Sequence, residues 1–249
     1  MIDFNARLGH WPYRPVRGLD ALLNAMDAFG IERALVSSLS AVHYLNPQDG
    51  NDELARWIAP HRDRLVQAAV LRPNFTGWRD DLEKCVSEYE IRAVVLYPNY
   101  HRFDLSDARL APLMARAASR GFPVCVQAGL EDPRRQFYRK TVWDVPADDI
   151  GTFASRYPDI RVVAMGLKVG QPDQTGDPPP ENLLFELSNC ERMGEVEAIL
   201  GQFGAERLLF GTNFPLFSPR ANVDKLARAD IPDEDRRVIT SENAARLLG

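Results

Sequence analysis

Residues 2–9 read IDFNARLG, and the way these eight residues are divided between two faces decides the fold. A strand with period two places Asp3, Asn5 and Arg7 on one side and Ile2, Phe4, Ala6 and Leu8 on the other. The apolar set is expected to face covering helices, which leaves three polar side chains pointing into an enclosed interior, the last two near one open end. In a parallel barrel the chemistry sits where the strands end, which would put Asn5 and Arg7 at the functional mouth.

Seven further apolar runs repeat the theme. The expected strands are Ile2 to Leu8, Arg33 to Leu39, Leu65 to Leu71, Ile91 to Tyr97, Pro123 to Ala128, Ile160 to Met165, Asn182 to Leu187 and Arg207 to Gly211. Most are continuous in Val, Leu, Ile and Ala, as in parallel strands covered on both sides. Amphipathic stretches lie between them. In GLDALLNAMDAFG, residues 18–30, Leu19, Leu22, Leu23, Met26 and Phe29 share a face and Gly30 can cap the end. DARLAPLMARAASRG and ERMGEVEAILGQFG end the same way, at Gly121 and Gly204. The alternation predicts an α/β chain, a (β/α)8 TIM barrel with C-terminal closing helices spanning residues 1–249 as a single domain; Ser241 is the expected N-cap of the last helix, SENAARLLG. The Pro/Gly-rich stretch GQPDQTGDPPP, residues 170–180, reads as an active-site loop.

Composition narrows the function classes. The 249 residues are 45% hydrophobic and 26% charged, which excludes disordered and membrane classes. A formal net charge of -5 without a basic stripe argues against a nucleic-acid partner and for a small molecule. No apolar run has the length of a membrane span, and MIDFNARLG lacks the sections of a signal peptide, so the expected location is the cytoplasm. Cys85, Cys125 and Cys190 are widely spaced and read as buried small hydrophobes. A homodimer is the expectation from base rates alone.

The motif order resembles the amidohydrolase superfamily, in the branch that includes aminocarboxymuconate-semialdehyde decarboxylase and pyrone-dicarboxylate lactonase. It rests on IDFNARLG against a family pattern Ile-Asp-x-His-x-His-Leu-Gly, LYPNY after strand four, GFPVCVQAG at strand five, RLLFGTNFP at strand eight and the terminal ENAARLL. The resemblance implies a metal-dependent hydrolase or decarboxylase, with ligands from two His of strand one, a His each of strands five and six and an Asp after strand eight. At those positions this chain carries Asn5 and Arg7, Gln127, Met165 and Asn213. Amide and thioether donors bind zinc-like ions weakly. A guanidinium ~4 Å from a divalent ion adds roughly 8 kcal/mol of repulsion at an effective dielectric near 20. The expectation is therefore no metal and no cofactor.

The candidate catalytic residues are Arg7, His10 and Asn213, with Arg7 and Asn213 stabilising developing negative charge and His10 or a water moving protons. Asn5, Arg72, Gln127 and Glu186 are the candidate substrate-binding residues, for a small-molecule carboxylate. Asp3 and Glu186 are alternative internal partners for Arg7. Lys168 reads as a solvated rim charge, and Trp11 and Tyr13 as a pocket wall or loop packing. His10, His43 and His101 all follow strands on the functional face, which raises a relocated metal site as a minority reading. Arg134, Arg135, Arg139 and Lys140 read as a solvated helix face. A metal-independent hydrolase or decarboxylase and a non-catalytic binder of a small anion both remain open.

Overall fold

The computed structural model describes residues 1–132, 134, 136–137, 142–168 and 170–249. Eight parallel strands follow one another in sequence order around the sheet, β1 (Ile2–Leu8), β2 (Arg33–Ser38), β3 (Leu65–Val70), β4 (Ala93–Leu96), β5 (Val124–Gln127), β6 (Val162–Met165), β7 (Leu183–Glu186) and β8 (Leu208–Leu209). Backbone hydrogen bonds from Phe4 N to Phe210 O (2.9 Å) and Arg7 N to Phe214 O (2.8 Å) bring β1 against β8 and its continuation, so the expected (β/α)8 barrel forms. β8 is two residues long because Phe210 N turns to Ile239 O at 3.1 Å rather than to a neighbouring strand.

Helices cover the outside. α1 (Leu19–Phe29), α2 (Pro47–Ile58), α3 (Trp78–Tyr89), the short α4 (Pro98–His101), α5 (Leu110–Arg120), α6 (Ala147–Arg156), α7 (Glu195–Phe203) and α8 (Pro219–Arg228) fill the connections. Gly30 and Gly121 end α1 and α5 in the left-handed region, at φ 66° each, as their positions predict. The 170–180 stretch is a loop that interrupts the strand–helix alternation. It carries no helix beyond a single turn at Pro172–Gln174, and buried Thr175 packs directly against Gly151 of α6, so it lies along the barrel wall in place of a covering helix.

The C-terminal segment does close the barrel. After α9 (Asp233–Arg237), a wider turn at Val238–Glu242 runs straight into α10 (Asn243–Leu248), so Ser241 lies inside a continuous helical segment and caps nothing. Asn243 Nδ2 donates to Ala205 O and Leu208 O, both at 2.7 Å, tying α10 to the entrance of β8, while Ala244 and Leu248 join the interior cluster. Arg134 is exposed and paired with Asp132; residues 135, 139 and 140 of the expected helix face lie outside the described residues.

The strict alternation expected of β1 fails. Asp3 pairs with Ala34 but Ala6 pairs with Val36, so β1 spends one extra residue against β2, a β-bulge. Ile2 and Phe4 consequently pack in the barrel interior with Val66, Ala68, Val95, Cys125 and Val163, while Ala6 and Leu8 face the helices. Asp3 leaves the polar interior set. Its carboxylate accepts the amide of Asn5 at 2.9 Å, inside the bulge, and reaches the turn after β8 through Thr212 N (3.0 Å) and Thr212 Oγ1 (2.5 Å). Beyond the bulge Asn5 and Arg7 point inward as expected, where Asn5 meets β7 and Arg7 meets β4 and β5.

Gly211 leaves room for this crossing. A Cβ there would meet Glu186 Oε1 at 2.1 Å and Asn5 Cβ at 2.8 Å. Gly211→Ala is expected to lower stability by roughly 1–3 kcal/mol, the cost of overpacking a filled core, measured by urea unfolding. An unchanged midpoint would show that β7 and β8 can separate freely.

Candidate functional site at the barrel mouth

Six of the eight strands contribute one interior residue each where they end. These are Arg7 from β1, Tyr97 after β4, Gln127 from β5, Met165 from β6, Glu186 from β7 and Asn213 after β8. All are buried, and Arg7 is fully so. Its Nε donates to Tyr97 Oη at 2.9 Å, its Nη1 to Asn213 Oδ1 and its Nη2 to Gln127 Oε1. The two amides are aimed by their other ends. Gln127 Nε2 donates to Gly129 O at 2.7 Å, and Asn213 Nδ2 donates to Leu130 O at 3.3 Å. Each carbonyl oxygen therefore faces the cation.

Local backbone supports the arrangement. Asn213 sits in the left-handed region at φ 51°, a conformation that Asn tolerates better than most residues. Gly166, at φ 71°, lies where a Cβ would strike Gly129 O and Gln127 Nε2, so the strand-six exit must be glycine for the Gln127 amide to lie across it.

Among the described residues Arg7 has no carboxylate hydrogen-bond partner. Asp3 is taken by Thr212 and the bulge, and Glu186 accepts from Asn5 Nδ2 (2.7 Å), Ser188 N (2.7 Å), Ser188 Oγ (2.9 Å) and Gly166 N (3.3 Å). The expectation that either acid pairs directly with Arg7 is corrected: the partners are three neutral groups. Burial raises the pKa of both Asp3 and Glu186, and the hydrogen bonds they accept pull each back. Three valences in the cluster stay unspent. A guanidinium has five N–H donors, of which three are used here among the described residues, and the buried Asn5 Oδ1 accepts nothing.

An aromatic roof covers the cluster. Trp11 is buried and packs on His43 (4.7 Å between ring centres), Tyr13 (5.9 Å) and Tyr100 (6.2 Å), and Tyr13 stacks on Phe137 at 5.5 Å. Trp11 Nε1 donates to the buried Glu131 at 3.0 Å. Beside the roof, Tyr100 also lines a cleft of about 590 Å³ with Asn99, Arg102 and Trp143.

The remaining candidates are not gathered with Arg7. His10 is exposed, with its backbone N–H on Ser40 Oγ. Arg72 is at the rim, bonded to Asn74 Oδ1 (3.0 Å), and Lys168 is paired with Asp144, also at the rim. The three histidines separate: His43 belongs to the roof, His101 is buried with Nε2 on Ala41 O at 3.2 Å, and among the described residues no three His, Cys, Asp or Glu side chains converge with metal-binding geometry. Two members of the cluster are absent from the candidate site residues, although their places at strand ends are visible in the sequence: Tyr97 follows β4 as an inward-facing residue, and Ser188, two residues past Glu186, completes the carboxylate's hydrogen bonds.

An amidohydrolase family model matches residues 5–249. The chain belongs to the amidohydrolase family. No curated protein sequence matches it. Among solved structures, it is similar to a 2,6-dihydroxybenzoate decarboxylase from Rhizobium (17% identity, TM-score 0.78, covering 99% of this chain and 98% of the other). It is also similar to 5-carboxyvanillate decarboxylase from Sphingomonas paucimobilis (13%, 0.75, 99% and 98%). A third is a dihydroxybenzoic acid decarboxylase from Polaromonas sp. with bound manganese and 2-nitroresorcinol (18%, 0.78, 99% and 96%). At these identities the likeness establishes the fold. A divalent metal like the manganese of that structure does not fit the residues here: the amide oxygens of Gln127 and Asn213 already serve a guanidinium, and Met165 offers only a buried thioether.

His101 supplies a test of the packing beside the mouth. Burial, with the Arg72 charge as a smaller cause, lowers its pKa from 6.5 to about 4. A depressed histidine is neutral in the fold while the unfolded chain takes up a proton, so stability is full above pH 6.5 and falls as pH drops toward 4. His101→Gln is expected to remove about 3 kcal/mol of that acid loss, read as the difference between the two proteins' urea stabilities across the window. Parallel pH curves would place His101 in contact with water.

Proposed function

We propose that the barrel mouth receives a small hydroxylated aromatic carboxylate, with Arg7 as its fixed counter-charge. The observation that carries this reading is a fully buried guanidinium that, among the described residues, is held by neutral groups alone, with two N–H donors unspent and an orphaned amide oxygen, Asn5 Oδ1, in the same cluster. Two donors suit a carboxylate, and a lone acceptor suits a hydroxyl. Trp11, Tyr13 and Tyr100 supply an aromatic ceiling for a planar ring. Entry requires the roof to part. The similar solved structures support the same ligand class, since two of them are decarboxylases of dihydroxybenzoates.

Turnover, in this reading, is decarboxylation rather than hydrolysis. Hydrolysis needs a base that activates water, and among the described residues none of the candidates offers a free one to the cluster: His10 is exposed and Glu186 has both oxygens committed. Decarboxylation needs a proton for the ring carbon as the electrons of the C–C bond return to it. In this reading the proton comes from the Tyr97 hydroxyl, which accepts from Arg7 Nε and lies 3.4 Å from Ser37 Oγ, a contact in which either oxygen can donate. A protein that binds without turnover uses the same cluster minus that transfer.

Thermal-shift measurements with benzoate, mono- and dihydroxybenzoates and aliphatic carboxylates test the binding. At ten times Kd a true ligand adds about 1.4 kcal/mol, or roughly 3–6 °C for a chain of this size. Hydroxybenzoates should raise Tm, and Trp11→Ala should abolish the rise. Released CO2, lost in Tyr97→Phe with binding retained, would identify the decarboxylase. No shift with any carboxylate would defeat the proposal.

A further inference from the structure

We infer that the Arg7 guanidinium is the resident cation of this barrel, a covalently attached replacement for the divalent ion that a related fold carries as manganese. Three observations on this chain converge. The cation lies where β1, β4, β5 and the β8 exit meet, bonded to Tyr97, Gln127 and Asn213. Its acceptors are oriented by the protein and not by the cation, because Gly129 O and Leu130 O hold the amide nitrogens of Gln127 and Asn213 away from the centre. The two carboxylates close by are withdrawn from it, Asp3 into the β1 bulge and Glu186 onto Ser188 and Asn5.

Neutral oxygens in fixed positions around a monovalent, planar cation form a site specific for guanidinium. They match its forked donors one by one, whereas a divalent ion prefers anionic or imidazole ligands and would stand against a charge that never leaves. Met165 completes the mismatch. It stands in register with Gln127 across β5 and β6, and is buried. This inference goes beyond ligand binding and holds whether or not any carboxylate occupies the mouth.

Two measurements test it. First, protein produced in medium supplemented with manganese, zinc and iron, then desalted, is analysed for metal by mass spectrometry. No stoichiometric metal is expected, and one bound ion per chain that changes Tm when chelated would overturn the inference. Second, Arg7→Ala empties the site while leaving its three oxygens in place. Its Tm should fall, and millimolar guanidinium chloride should restore part of the loss, whereas equal sodium chloride or manganese should not. Rescue by manganese instead of guanidinium, or a variant as stable as the parent, would also overturn it. If Arg7→Ala fails to fold, Arg7→Lys serves: it keeps a charge but not the fork, and should fold with a lower Tm. A Lys variant equal to the parent in Tm would show that the fork is irrelevant. Failure of carboxylates to bind leaves both results readable, so the two proposals fail separately.

Discussion

A single buried guanidinium sets the terms for the rest of this barrel. Taking Arg7 out of water carries a desolvation cost of several kcal/mol, and that cost is tolerable only when the donors find acceptors of good geometry. Tyr97, Gln127 and Asn213 provide them from three different parts of the sheet. The consequence is a mouth knitted together across the barrel axis, where a more open site would leave its strand ends independent. Removing any one acceptor leaves a buried charge short of a partner, which is why the residues that aim them are as constrained as the acceptors themselves.

That constraint reaches into the backbone. The β1 bulge turns Asn5 and Arg7 inward after Phe4 has already filled the interior below them, and Asp3 holds the bulge by accepting the freed amide of Asn5. Gly211 and Gly166 lack side chains where Glu186 and Gln127 pass. Asn213 adopts a left-handed conformation that places its oxygen on Arg7. Local strain and absent side chains gather at the strand ends, as expected of a fold that keeps function on that face.

The architecture was readable in the sequence because eight apolar runs, spaced by amphipathic stretches ending at Gly30, Gly121 and Gly204, leave few other ways to bury that much surface. The bulge was not readable. IDFNARL alternates perfectly on paper, and only pairing with β2 reveals the extra residue that sends Phe4 inward and Asp3 aside. The identity of Arg7's partners was half readable: Gln127 and Asn213 end strands five and eight, but acidity made Asp3 and Glu186 seem the natural counter-charges. Nothing in their spacing says that each carboxylate is already served by backbone amides. Arg72 and His10 follow strands three and one, yet a face is wider than a site, and position after a strand does not tell whether a side chain turns inward. Ser241 misled because a continuous helical segment hides a helix start that short-range patterning suggests.

Membership of the amidohydrolase family and likeness to decarboxylases at 13–18% identity describe the scaffold, and a scaffold hosts many chemistries. What this chain holds at its mouth is a guanidinium bonded to Tyr97, Gln127 and Asn213. The most direct test is an anomalous difference map from crystals grown in manganese. Expected is no peak beside Arg7 and a guanidinium still bonded to Tyr97, Gln127 and Asn213. A manganese peak among Asn5, Gln127 and Asn213, with Arg7 swung out of the barrel, would contradict the idea that a side chain has become this protein's cation.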